Sequence, residues 1–208
     1  MMDKTVEVLT IGHSTQSVES FIQLLRQAGV TAMADVRSVP FSRHVPQFNR
    51  EALKQALAAE KIAYVYLGDE LGGRPKTPEL FSDGVADYEK MAQIESFTHG
   101  LDRVIEGSRT HRIALMCAER DPLDCHRCLL IGRALKEKGV SVRHILGSGE
   151  TIGQDDIEQL LLAMAHRSHR DLFTAYEDRI AQAYRDKARR AAFSERPAQA
   201  GKNDQFRA

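Results

Sequence analysis

The chain has 208 residues, enough for one α/β domain with an appendage and a proper core. Its 29 lysines and arginines balance 29 aspartates and glutamates, so no global field draws it to nucleic acid or a membrane surface. The opening Met1-Met2-Asp3-Lys4-Thr5 lacks a charged-then-apolar signal pattern, no apolar run has membrane-spanning length, and the three cysteines lie too close together for a secreted disulfide framework. A reduced, cytoplasmic setting is expected.

The predicted elements alternate. Val6 to Ile11 reads as a strand, and Ser17 caps a helix with Phe21, Ile22, Leu24, Leu25 and Ala28 on one face, stopped by Gly29. Val30 to Val36 is a second strand, Asn49 caps a second helix, and Ala63 to Leu67 is a third strand. A loop rich in glycine and proline runs from Gly68 to about Gly84. A helix from about Ala86 to Glu106 leads to the strand Arg112 to Cys117, a helix after Asp124, and a final strand, Val140 to Leu146. Five strands separated by helices imply a mostly parallel five-stranded sheet in a Rossmann-like three-layer sandwich, with half of a barrel as the alternative topology.

The division expected is an α/β domain over 1–150, a helical extension over 151–193 and a disordered tail over 194–208. In the extension, Asp155 and Glu158 start a helix with Ile157, Leu160, Leu161 and Met164 as its apolar stripe. Ser168-His169 interrupts it, and Leu172, Phe173, Tyr176, Ile180 and Tyr184 continue at helical spacing. That stripe must cover the chain's own domain or a second copy in a homodimer.

Polar groups follow the strands. Gly12, His13 and Ser14 come after the first; Asp35, Arg37, Ser38 and Pro40, then Ser42, Arg43 and His44, after the second. Glu70, Gly72, Gly73 and Arg74 follow the third, and Cys117, Glu119, Arg120, Cys125, His126 and Arg127 the fourth. In a parallel sheet these loops share one edge, where open α/β sheets bind ligands.

Thr10-Ile11-Gly12-His13-Ser14, Asp35-Val36-Arg37-Ser38-Val39-Pro40, Leu71-Gly72-Gly73-Arg74 and Leu115-Met116-Cys117-Ala118-Glu119 followed by Cys125-His126-Arg127 resemble the DUF488 family, from about Val6 to Ile145. Because that family is a domain of unknown function, the resemblance implies a site and no reaction. It leaves the helical extension unexplained, and Cys128 is not part of the motif.

The residues admit several chemistries. Gly12-His13-Ser14 forms either an anion-binding turn or a plain capped turn. Asp35 and Arg37 brace each other, or else Asp35 orients His13 while Arg37 holds an anion. Gly73 and Arg74 admit a ligand close to the backbone, or belong only to a flexible loop. Asp124 is expected to cap a helix whose first turn holds Cys125 beside His126 and Arg127, favouring a thiolate. Cys117, Cys125 and Cys128 with a histidine could hold zinc or iron, but the spacing is not a standard zinc pattern and no metal is assigned. Alternatively the cysteines are small core residues. Phosphatase loops place an arginine downstream of the cysteine where Leu123 and Ile131 stand here, and no loop matches an ATP or NAD fingerprint, so no cofactor is predicted.

The expectation is an enzyme of hydrolysis or group transfer with an anion-binding site for a small molecule or nucleic-acid phosphate. Cys125, Glu119, His13 and Asp35 form its catalytic set; Gly12, Ser14, Arg37, Gly73, Arg74, Cys117, His126 and Arg127 bind substrate. The alternatives are a non-catalytic nucleotide or nucleic-acid binding module, and a scaffold docking through its C-terminal helices.

Overall fold

The structure is a computed structural model and describes residues 6–165 and 175–195. It contains β1 (Glu7–Gly12), α1 (Val18–Gln27), β2 (Ala32–Asp35), α2 (Arg50–Ala59), β3 (Ala63–Tyr66), α3 (Gly68–Leu71), β4 (Phe81–Ser82), β5 (Val85–Ala86), α4 (Tyr88–Met91) and α5 (Glu95–Ser108). Then come β6 (Ile113–Cys117), a π-helical segment (Arg127–Gly132) continuing into α6 (Arg133–Glu137), β7 (Ser141–Ile145), β8 (Thr151–Gly153), α7 (Gln154–Met164) and α8 (Tyr176–Ala191).

Among the described residues, six strands form one sheet in the order β3-β2-β6-β1-β7-β8, all pairs parallel except β7–β8. The expected count of five is one short: Thr151–Gly153 folds back on β7 through a turn in which Gly149 takes a left-handed φ of 89°. Successive side chains alternate between faces, as the strand period requires. Leu9, Ile11, Met33, Ala114 and Met116 pack with Phe21, Leu25, Leu53 and Leu57 of α1 and α2. Val8, Ala32, Ala34, Ile113, Leu115 and Val142 face the other way, against Phe97, Leu101 and Val104 of α5 and Leu135 of α6. The two cores with the sheet between them make a three-layer, Rossmann-like α/β sandwich.

Several boundaries differ from expectation. The helix expected over Ala86 to Glu106 is two helices, separated at Ala92 to Ile94, and Ala86 belongs to the small β4–β5 hairpin. Ser17 caps α1 as expected, its hydroxyl accepting from Ser20 N, but the Asn49 side chain accepts from the Ser42 amide instead of capping α2. The start of α7 is fixed by Asp156, whose carboxylate accepts from Gly153 N. Ile157 and Leu161 join the core with Ala183 and Tyr184 of α8, while Leu160, Met164 and Tyr176 remain exposed. Ser168, His169, Leu172 and Phe173 lie outside the described residues, as does the tail after Glu195. Ser194 itself bridges Val85.

Candidate active site

β2 and β6 are adjacent and parallel, so the loops after Asp35 and Cys117 emerge at the same edge. Cys117 ends β6 and Cys125 returns beside it. Cys125 is itself the helix cap: its backbone is extended, its carbonyl accepts from Cys128 N and Leu129 N, and its Sγ lies 3.5 Å from Arg127 N. Asp124, expected to be the cap, points outward and pairs with Lys187 at 2.6 Å.

Cys117 donates to Glu119 Oε2 at 2.8 Å, and Cys125 Sγ lies 3.2 Å from the same oxygen. His126 Nδ1 is 3.5 Å from Cys117 Sγ and 3.8 Å from Cys125 Sγ. Its Nε2 donates to Val36 O at 2.9 Å, which turns Nδ1 toward the sulfurs. Gly73 lies flat on this ring, where a Cβ would come within 2.7 Å of the imidazole. The expected close approach at Gly73 is therefore to His126, and at Gly72 to Ser38 Oγ.

Burial would push both neighbouring thiols up. At Cys125 the Cys117 thiol, the Arg127 charge and His126 outweigh it and hold the thiol well below the ordinary cysteine value. At Cys117 burial, Cys125 and Glu119 act together and push the thiol well above that value. His126 is raised: burial opposes its charge, but Cys125 and Glu119 favour it more. Cys128 stands apart, pushed up to about 12 by burial.

A cleft of about 170 Å³ opens over this cluster, lined by Arg37, Gly73, Arg74, Cys117, Glu119 and His126, and also by Tyr88 and Phe193. Pockets for drug-sized ligands are larger, about 300–1,000 Å³, so this one has room for a small group and not for a whole nucleotide. Arg74 is exposed, its amide donating to Ser38 Oγ and its guanidinium stacking over Phe193. Ser38, Tyr88 and Phe193 are absent from the expected set. Ser38 sits inside the Asp35–Pro40 motif, whereas Tyr88 and Phe193 carry no sequence signal at all.

Several expected site residues turn inward. Arg127 is fully buried, donating from Nη1 to Glu119 O at 2.7 Å and from Nη2 to Arg120 O at 3.0 Å; it shapes the loop and does not line the cleft. Asp35 and His13 do not form an acid–base pair, because Arg37 stands between them. Both Asp35 oxygens bind Arg37, Oδ2 also accepts from Tyr64, and Arg37 Nη1 donates to His13 Nε2 at 3.2 Å. His13 stacks on Phe48 and donates from Nδ1 to Ser14 O, and burial holds it below its ordinary value. The amides of His13 and Ser14 are taken by Cys117 O and Ala118 O, so this turn is no anion cradle. Gly12 is needed for contact: a Cβ there would lie 1.9 Å from Glu119 O. Cys125, expected in the catalytic set, lies beneath the cleft, and Cys117 faces it.

Fold and site together define an α/β protein with a thiol-rich, ionisable cleft at the carboxyl edge of a parallel sheet. A family model described as Domain of unknown function DUF488 matches residues 17–134, more than half of the chain, and the chain belongs to that family. The match spans the Asp35, Leu71 and Cys117 motifs and starts after Gly12-His13-Ser14. Comparison with curated proteins and with solved structures gives no match.

Proposed function

We propose that the protein is an enzyme that hydrolyses, or transfers a group from, a phosphate-bearing substrate whose reacting group enters the cleft over Cys117, Glu119 and His126. One observation carries the reading: proton-handling groups and the cations Arg37 and Arg74 line the same small cleft. Adhesion alone needs the cations; the ionisable cluster beside them favours turnover. Arg74 and the Arg37 Nη1 edge would hold the anion, and Glu119, exposed at the mouth, would take the proton of the attacking water. The remainder of a nucleotide or nucleic-acid substrate would lie over the exposed Val39, Phe41, Arg43 and His44. Three free thiols suit a reducing compartment, so the reading includes a cytoplasmic location. Among the described residues no helix is long and apolar enough to cross a membrane.

A second reading, a non-catalytic binding module, is favoured by the inward commitment of Asp35, His13 and Arg127. Chromogenic phosphate mono- and diesters and a nucleotide panel separate the two. Glu119→Gln should lower kcat by about 10²–10⁴-fold with KM little changed. Arg74→Ala should raise KM. Nucleotide binding by the wild type without turnover of any ester would select the binding module.

A further inference from the structure

The proposed reaction uses Glu119 and the cleft arginines, and leaves the pair of cysteines beneath them without a purpose. Cys117 Sγ, Cys125 Sγ, His126 Nδ1 and a Glu119 oxygen all lie within 4.8 Å of one another. A tetrahedral zinc-like ion, with bonds of about 2.3 Å to sulfur and 2.0–2.1 Å to nitrogen, sets an S···N edge of about 3.5–3.6 Å. The two S···N distances here, 3.5 and 3.8 Å, bracket that edge. Glu119 Oε2 sits nearer the sulfurs than such an edge, at 2.8 and 3.2 Å, but it is an exposed side chain with room to withdraw toward the cleft.

Three further features suit an ion. His126 donates Nε2–H to Val36 O, the arrangement that fixes a ligating imidazole with its other nitrogen bare. The Arg127 amide points at Cys125 Sγ, as amides around metal thiolates do. The Arg127 guanidinium is completely buried, yet its hydrogen-bond partners are two neutral carbonyls. A buried cation of this kind calls for negative charge nearby, and two thiolates with the Glu119 carboxylate around a divalent ion leave one net negative charge there.

We propose that Cys117, Cys125 and His126 bind a divalent transition-metal ion of the zinc class, with Glu119 or a cleft water at the fourth position. Paired thiolates with an imidazole select zinc or iron over magnesium and calcium. All three ligands are buried while the fourth position faces the cleft, the open arrangement of a catalytic rather than a structural site. The site rests on the enzymatic reading only for what the ion would do, polarising a substrate oxygen or a water there; binding itself is independent of it.

The test is a Co²⁺ titration of the full-length, chelator-treated protein under reducing conditions. One ion per chain is expected, with the visible bands of tetrahedral cobalt, a sulfur-to-cobalt charge-transfer band, and displacement of both by Zn²⁺. Cys125→Ser and His126→Gln should weaken binding by more than about 100-fold, beyond the 10–100-fold that losing an outer-sphere partner costs. Glu119→Gln should keep the ion. Because a serine variant can lose its fold, the wild-type spectrum decides alone. Failure to bind Co²⁺ and Zn²⁺, or binding without the charge-transfer band, overturns the proposal. An ion bound without ester turnover supports this site and defeats the enzymatic reading; turnover by protein that binds no ion does the reverse.

Discussion

Asp35 is fully buried, and Arg37 meets its carboxylate with two parallel hydrogen bonds, of 2.9 and 2.7 Å, while Tyr64 donates another. Removing one member of such a pair strands the other. Asp35→Ala should therefore cost about 3–5 kcal/mol in urea unfolding, far beyond the value of a surface ion pair. At Gly73 the constraint is steric. A methyl there meets the His126 ring, so Gly73→Ala should destabilise by about 1–3 kcal/mol as an overpacked contact does, and should displace the imidazole from the cysteines. An unchanged His126 ring signal by NMR would count against that contact. Which polar residues share one edge was legible, since each follows a strand of a parallel sheet. The direction of each guanidinium was not. Arg37, Arg74 and Arg127 all follow strands, yet one is braced by a carboxylate, one is exposed at a cleft and one is clasped by carbonyls, and only tertiary packing separates them.

Most strands were readable because buried parallel strands are short apolar runs bounded by turn residues. Helix ends were less so, because caps depend on where a side chain finds its donor. Ser17 finds Ser20 N across its own turn, whereas Asn49 is drawn away by Ser42 N. Ser17→Ala should accordingly cost about 1 kcal/mol, the ordinary loss for a helix cap. Asn49→Ala should act by loosening the Ser42 segment rather than α2, visible as faster amide exchange at Ser42. The β4–β5 hairpin did carry a signal: Asp83 and Gly84 both take left-handed φ, 55° and 75°, the requirement of a tight hairpin turn that Asp-Gly satisfies. It was hidden by the surrounding glycine- and proline-rich loop. Cys125 as a cap had no signal, because Asp124 beside it is the better capping residue by type.

At the scale of the molecule, α7 and α8 are tied to the sheet by a buried polar network. Thr10 Oγ1 meets His144 Nδ1 at 2.7 Å, His144 Nε2 meets Gln154 Oε1 at 2.7 Å, Gln154 Nε2 donates to Tyr184, and Tyr184 donates to Glu158. Ending the chain after Gly153 would cut this network at Gln154 and bare the core that Ile157, Leu161 and Tyr184 cover. The short form should aggregate or lose cooperative unfolding. The same network makes stability depend on pH. Since Nε2–H is committed to the Gln154 oxygen, Nδ1 must accept from Thr10, and the ring is neutral. Burial, aided by the Arg127 charge and opposed by Gln154, lowers His144 from 6.5 to about 4. Above the unfolded value both states hold the ring neutral and the network contributes fully. As pH falls from 6.5 toward 4 the unfolded chain takes a proton that the native state refuses, so stability drops, by about 3 kcal/mol in all for a shift of this size. His13, also held down by burial, adds in the same direction, and His126, held up, opposes it near pH 7, so the absolute slope belongs to all three rings. The difference between wild type and His144→Gln isolates one. Urea midpoints measured from pH 7 down to about 4.5 should fall more steeply for the wild type than for the variant, whose overall stability is lower but flatter in that window. Parallel slopes would mean that His144 carries its proton inside the fold, and that Thr10 and Gln154 are both acceptors to an imidazolium.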